Sequence, residues 1–171
     1  KNYVNYSSVS RCMNVNSNTY YMVGLVNGKV CCPSVNISMN KCSYFSGFCC
    51  NPFGDSNTIT FSLSYSSFAD NSANEYGCIG FYDNSAKCEI KSCNILRNTQ
   101  GSLSSNGIVF TSGNTMIEDS CILENKADYI FYAASSSYTI TLSNCTVDKT
   151  TNNRNLVTQN TVTKSFILAL N

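Results

Sequence analysis

The side chains with which this chain could do chemistry are eleven cysteines and ten carboxylates, and they stand without a single histidine. Lacking an imidazole, the chain cannot assemble a Cys–His nucleophile from its own residues. A zinc site is hard to read as well, because no CxxC pair occurs and thiolates would have to be gathered from distant segments. The carboxylates Asp55, Asp70, Glu75, Asp83, Glu89, Glu118, Asp119, Glu124, Asp128 and Asp148 are scattered along the sequence. A polysaccharide lyase or hydrolase needs clustered acids, either to hold calcium or to divide acid and base roles. Only Glu124 and Asp148 share a position, each three residues after a cysteine, Cys121 and Cys145. Two solvated carboxylates at a turn account for that pair. The residues therefore point to a chain with no catalytic site, no metal and no cofactor.

What positions these residues is a repeat. Cys12, Cys42, Ser66, Cys93, Cys121 and Cys145 follow one another at intervals of 30, 24, 27, 28 and 24 residues. Five positions before them stand Ser7, Ile37, Phe61, Cys88, Met116 and Ile140, and three before them Val9, Met39, Leu63, Ile90, Glu118 and Leu142. An imperfect apolar pattern of that period is the signature of a solenoid, in which each repeat buries its inward face only against its neighbours. Short runs of alternation over 36–39, 58–64, 88–91 and 139–143 read as strands, and a second apolar run follows in 21–26, 47–50, 77–81, 107–110, 129–133 and 156–157. Two strands and a variable loop per repeat return the same residue to the same column only if the strands are parallel. The expected fold is all-β, a right-handed parallel β-helix of about six to seven coils. It forms a single domain over 1–171, a fragment of a longer chain, because Tyr3 and Val4 at one end and 166–170 at the other leave apolar coils uncapped. Glu118 falls on an inward position where an unpaired carboxylate is costly, which predicts a one-residue slip that turns Ile117 inward.

The repeated cysteines Cys12, Cys42, Cys93, Cys121 and Cys145 form a core ladder in this reading. Stacked neighbours about 4.8 Å apart hold their Cβ atoms further apart than the roughly 3.8 Å a disulfide prefers, so the column favours buried thiols. The adjacent pairs Cys31–Cys32 and Cys49–Cys50 are the disulfide candidates, and the odd total leaves at least one thiol unpaired. Three sequons, at Asn5, Asn36 and Asn144, are glycosylation candidates. Only 12% of residues are charged and the net charge is +1, which gives no footprint for nucleic acid. The longest apolar runs fall far short of the roughly 20 residues that span a bilayer, so no membrane span is expected. Asn, Ser and Thr make up more than a third of the chain, as suits short strands joined by many turns.

Phe68-Ala69-Asp70-Asn71 followed by Gly77-Cys78-Ile79 resembles the paired FxxN and GGAI-type elements of polymorphic outer membrane protein repeats, a β-helical family of surface and adhesion proteins. Ile95-Leu96-Arg97-Asn98 followed by Asn106-Gly107-Ile108 is a second copy. The Asn- and Cys-rich style is similar to that of protozoan surface β-helix repeat proteins. The resemblance covers about residues 36–147 and implies a non-catalytic module of a surface or filament protein, extracellular or on the cell surface, acting in adhesion or as a rigid spacer. Its partner would be a protein or a glycan, or a second copy through the coil ends. Loops 51–56 and 101–106 would project, and Tyr20, Tyr21, Tyr82, Tyr129 and Tyr132 would supply contacts where exposed, the alternative being that some of them stack in the core. Two other classes stay open: a fragment of a polysaccharide-acting β-helix enzyme, and an intracellular cytoskeletal scaffold, which free thiols would suit.

Overall fold

In the computed structural model, residues 2–14, 21–25, 29–50, 60–82, 87–101 and 106–164 are described. They form a parallel β-solenoid without a helix among them. Four sheets run along it. The first stacks seven strands, from Asn2–Tyr3 through Val30–Pro33, Thr60–Ser64, Lys87–Lys91, Thr115–Glu118 and Ile140–Ser143 to Leu156–Gln159. The second also stacks seven, from Ser8–Ser10 through Asn36–Ser38, Ser67–Ala69, Asn94–Leu96, Cys121–Leu123 and Thr146–Val147 to Val162–Thr163. The third holds Met13–Asn14, Lys41–Cys42, Ser72–Ala73 and Thr99–Gln100, and the fourth Tyr21–Leu25, Phe45–Cys50, Ile79–Phe81, Val109–Thr111 and Phe131–Ala133. Every paired strand is parallel to its neighbour.

This corrects the expected coil in two respects. A full coil carries four strands rather than two, and among the described residues strands on all four faces occur in four consecutive coils. The expected six to seven coils match only the seven rungs of the two longer sheets. Loop residues 51–56 and 102–105, together with Tyr20, Asp55, Asp83 and 166–170, lie outside the described residues.

Inward columns fill the interior. Val30, Phe61, Cys88, Thr115 and Ile140 stack in register in the first sheet, and two residues further on stand Cys32, Leu63, Ile90, Ile117 and Leu142. Ile37, Phe68, Ile95, Ile122 and Val147 do the same in the second. All of these side chains are buried. The slip expected at Glu118 occurs: Ile117 is fully buried, Met116 turns outward, and Glu118 reaches the Lys91 ammonium at 3.1 Å. Ile37 and Met39 do not join the first-sheet ladders. Val30 and Cys32 hold those places, Ile37 belongs to the second sheet, and Met39 is an exposed corner residue. The second apolar runs lie on the fourth sheet as far as Ala133, whereas Leu156 and Val157 start the last strand of the first sheet.

The bends repeat as strictly as the strands. Among the described residues, twelve non-glycine residues have φ between 48° and 58°, and they fall into two columns. Tyr6, Ser34, Tyr65, Ser92, Asp119, Asn144 and Asn160 turn the chain from the first sheet into the second. Arg11, Met39, Asp70, Arg97 and Glu124 turn it out of the second sheet. A left-handed conformation costs an L-residue roughly 1–2 kcal/mol. It persists here because these backbone amides stay in the inter-coil ladder, as Tyr65 N–H does on Lys91 O at 3.0 Å and Asp70 N–H on Leu96 O at 3.0 Å.

Candidate functional site

Each left-handed residue is followed by one inward side chain that completes the bend. After the first bend the column reads Ser7, Val35, Ser66, Cys93, Ser120, Cys145 and Thr161. Ser66 Oγ donates to Ser64 O at 2.8 Å and accepts from Val35 N–H at 3.1 Å. Cys93 Sγ contacts Lys91 O at 3.3 Å, Ser120 Oγ donates to Glu118 O at 2.7 Å, and Cys145 Sγ contacts Ser143 O at 3.3 Å. Hydroxyl and thiol therefore do one job, bonding the carbonyl two residues back across the corner.

The expected cysteine ladder is corrected accordingly. Of Cys12, Cys42, Cys93, Cys121 and Cys145, only Cys93 and Cys145 share the column, with Ser120 between them. The slip at Ile117 that brings Ser120 inward turns Cys121 out of the core, where it is part-buried beside Asn94. Cys42 lies in the third sheet, and Cys12 is exposed. The signal failed at the second coil because Val35 has no polar side chain to mark the corner. All eleven cysteines are free thiols, the adjacent pairs Cys31–Cys32 and Cys49–Cys50 included. Burial pushes Cys93 up to about 11 and Cys32 to about 12, and raises Cys42, Cys49, Cys50, Cys78 and Cys145 as well. Such thiols are protonated and shielded, the opposite of an activated nucleophile.

After the second bend the inward residue is an asparagine: Asn40, Asn71, Asn98 and Asn125, each 1% exposed. Asn98 Oδ1 accepts from Asn71 N–H and Asn71 Nδ2, both at 3.0 Å, while Asn98 Nδ2 donates to Phe68 O at 2.8 Å and Asn125 Oδ1 at 3.1 Å. Asn71 repeats this toward Asn40 and Ile37. Cys12 occupies the same position in the first coil, its N–H on Asn40 Oδ1 at 2.9 Å. The recurrent Asn71, Asn98 and Asn125 were visible in the sequence; that their amides bond coil to coil was not. The glycine of the resembling motif is steric. A Cβ on Gly77 would lie 1.9 Å from Gly107 O, and Gly107 itself sits at φ +72°.

The carboxylates do not assemble a metal centre: no group of three or more His, Cys, Asp or Glu among the described residues is placed to hold an ion. Glu124 and Asp148 do not share a register, since Cys121 pairs with Thr146. Asp148 Oδ2 instead accepts the Glu124 N–H at 2.8 Å. They edge an open hollow of about 550 Å³ in which Arg97, Lys126 and Lys149 alternate with them and with Asp70. Asp70 grips the Arg97 guanidinium at 2.7 and 2.8 Å, which lowers the Asp70 carboxyl below its ordinary range. Asn5, Asn36 and Asn144 are exposed, Asn36 on the second sheet and Asn144 at the bend before it.

The outer side of the fourth sheet is different. Its outward positions are Gly24, Cys49, Gly80, Phe110 and Tyr132, and a second aromatic cluster lies over them. Phe45 is only 1% exposed although it belongs to this outer cluster, because it packs across Gly80 and is covered by neighbouring rings. A Cβ on Gly80 would meet the Phe45 ring at 2.5 Å. Ring centroids of Phe45 and Tyr76 are 4.9 Å apart, of Tyr82 and Phe110 4.7 Å, of Tyr44 and Tyr76 5.5 Å, and of Phe110 and Tyr132 5.8 Å. Burial, and then a side-chain hydrogen bond with Tyr76, push the Tyr82 phenol up. The part-buried members of the cluster are all tyrosines: Tyr21, Tyr44, Tyr76, Tyr82 and Tyr132. None of the five strands beneath contains a charged residue.

No protein-family model, curated protein or solved structure matches the chain. Among the described residues no helix is long and apolar enough to cross a membrane.

Proposed function

We propose that the chain is a non-catalytic recognition and spacer module of a surface protein, a stiff solenoid that presents one tyrosine-rimmed side to a partner. The observation that carries this reading is the aromatic cluster outside the core. An interior needs no rings on the far side of its sheet, and a group of part-buried tyrosines outside the core supplies amphipathic rings that a partner can cover. The three sequons support an extracellular address, since Asn5, Asn36 and Asn144 are exposed and none of them stands on the fourth sheet. The resemblance of the 68–79 and 95–108 segments to polymorphic outer membrane protein repeats points the same way. Mass spectrometry of the native protein, with and without reduction, tests the address. Glycans on any of the three asparagines are expected; bare asparagines on a chain with eleven free thiols would replace this reading with an intracellular scaffold.

A further inference from the structure

We infer that Asn36 carries an N-linked glycan whose first N-acetylglucosamine stacks on the ring of Tyr65. The inference rests on the reading of the chain as a surface protein and adds which sequon is used and what the sugar touches. The three sequons are not alike. Asn144 Nδ2 donates to Asp119 Oδ1 at 2.7 Å, and Ser7, the hydroxyl residue of the first sequon, turns its Oγ onto Asn5 O at 3.0 Å. Asn36 stands outward on the second sheet and is exposed, and its side-chain amide makes no hydrogen bond among the described residues. Its direct neighbours on the two flanking coils are Ser8 and Ser67, too small to crowd a branch.

Tyr65 is the ring beside it. It is 69% exposed, occupies the left-handed bend between Ser34 and Ser92, and stacks on no other ring among the described residues. The bend does not require an aromatic, since serine holds the same position on both flanking coils. Two residues before Ser67, Tyr65 is a diagonal neighbour of Asn36, a separation of about 7–8 Å that aromatic and long side chains reach across. Both line one open hollow of about 460 Å³, with Ser34, Ser67, Ser92 and Asn94 around them. A phenol offers a flat apolar face to the C–H side of a pyranose, and the surrounding hydroxyls and amide suit the groups at its rim. The sequon sets the occupant, because its acceptor residue itself lines the hollow.

The donor is a polyprenyl-pyrophosphate-linked oligosaccharide, which a secretory compartment supplies together with its transferase. Asn36 Nδ2 bonds to C1 of the reducing-end N-acetylglucosamine and gives up one proton to a base of the transferase. The bond from C1 to the pyrophosphate oxygen breaks, and the polyprenyl pyrophosphate leaves with the electron pair. Ile37 and Ser38 are buried in the finished coil, so the transfer comes before that coil closes. Once it has closed, the outward Asn36 keeps the sugar outside and the contact with Tyr65 favours the folded chain.

The experiment secretes the whole chain from a eukaryotic cell, maps occupied asparagines by peptide mass spectrometry, and trims each glycan with an endoglycosidase to its first N-acetylglucosamine. Asn36 should be occupied. The trimmed wild-type chain should melt about 2–4 °C above Asn36→Gln treated alike, the shift that one aromatic contact gives a chain of this length. In a Tyr65→Ser background, which puts at this bend the residue found on either side of it, the same comparison should give no shift; in a Tyr65→Phe background the full shift should remain. The ring protons of the Asn36 sugar should also lie upfield in the wild type and return to their free positions in Tyr65→Ser, a readout that a general change in stability does not move. The inference is overturned by a bare Asn36, whatever Asn5 and Asn144 carry, by equal melting differences in the wild-type and Tyr65→Ser backgrounds, or by sugar protons at their free positions in the wild type. Secretion brings the chain to the transferase whatever its native address, so each of these outcomes leaves the surface reading to be judged on the native protein's own glycans and thiols.

Discussion

An asparagine amide has two hydrogens and two lone pairs to place, and at Asn98 all four are used inside the solenoid. Removing it with Asn98→Ala leaves the Asn71 N–H, the Asn71 amide and the Phe68 carbonyl short of a partner in a site water does not reach. At about 1–3 kcal/mol for each orphaned buried group, the loss should total about 3–5 kcal/mol in urea unfolding. The exposed Asn94→Ala should cost less than about 0.5 kcal/mol. Equal losses at the two sites would remove the asparagine column as a source of stability. The thiol column makes a different prediction. Cys93 does at its corner what Ser66 and Ser120 do at theirs, so Cys93→Ser should stay within about 1 kcal/mol of the parent. Its sulfur is a titrating group as well. Unfolded thiols ionise near 9, while folded Cys93 and Cys32 hold their protons to about 11 and about 12. Above pH 9 the unfolded chain therefore carries fewer protons than the folded one. Stability falls as pH rises from 9 toward 12, by up to about 1.4 kcal/mol per pH unit for each such thiol, and is unaffected by thiols below pH 8. A urea midpoint that stays level from pH 8 to pH 11 would contradict the burial of these groups.

Between residues and coil stands the bend, whose grammar is short: strand, one left-handed residue, one inward hydrogen-bonding residue, strand. Ser64, Tyr65, Ser66 and Ser67 spell it at the first bend, and Ala69, Asp70, Asn71 and Ser72 at the second. The left-handed position asks for conformational tolerance and nothing else, which is why Tyr, Ser, Met, Asp, Arg, Glu and Asn all occupy it. Ser92→Val places a β-branched side chain there and should destabilise by about 1–2 kcal/mol, whereas Ser92→Gly should be neutral or better. Gly77 is stricter. Its missing Cβ leaves room for the Gly107 carbonyl of the next coil, so Gly77→Ala should exceed either Ser92 variant in cost, because backbone rather than a movable side chain blocks the space. The same grammar explains what could be read from sequence and what could not. Inward strand positions were legible at Phe61, Leu63, Cys88, Ile90, Ile140 and Leu142, where they stand at fixed distance from Ser66, Cys93 and Cys145; in the coil between, Ser120 rather than Cys121 is the corner, so Thr115 takes the inward place expected of Met116. Register was lost before Phe61, because Val35 replaces the polar corner residue and the strand Val30–Pro33 is written in Cys, Cys and Pro, which look like a turn. The third sheet was missed because its strands are two residues long, too short for alternation to register. The aromatic cluster could not be inferred either: Tyr44, Phe45, Tyr76 and Phe110 lie far apart in sequence and meet only through the stacking of coils.

At the scale of the whole molecule, a solenoid has no single core to melt, only interfaces between neighbouring coils. Stability should then vary along the axis with what each coil touches. The coils that start at Thr60 and Lys87 have strands on all four faces, a neighbour on each side, the asparagine column and fully buried columns such as Phe61, Leu63 and Ile90. Among the described residues the last rung is paired on one side and has strands in the first and second sheets alone, with Thr158, Gln159, Val162 and Thr163 exposed. The opposite end is closed by the part-buried Val4, Val9 and Val23, which leave a small apolar cavity of about 40 Å³ against Cys32, Ile37 and Phe48. Native-state amide exchange of the whole chain should therefore give a graded profile, slowest at Phe61, Ile90, Ile95 and Asn98, and fastest at Leu156–Gln159 and Val162–Thr163, with Ser8–Ser10 between. Breaking a central rung with Asn98→Ala should speed exchange on both flanking coils and leave the terminal rungs as they were, because coupling passes only through direct neighbours. Uniform protection that collapses at one denaturant concentration would instead mean that the columns bind all coils into one cooperative unit. The graded result would make the coils that start at Val30, Thr60 and Lys87 the rigid element that carries the outer aromatic cluster, since Phe45, Tyr76, Tyr82 and Phe110 sit on these three.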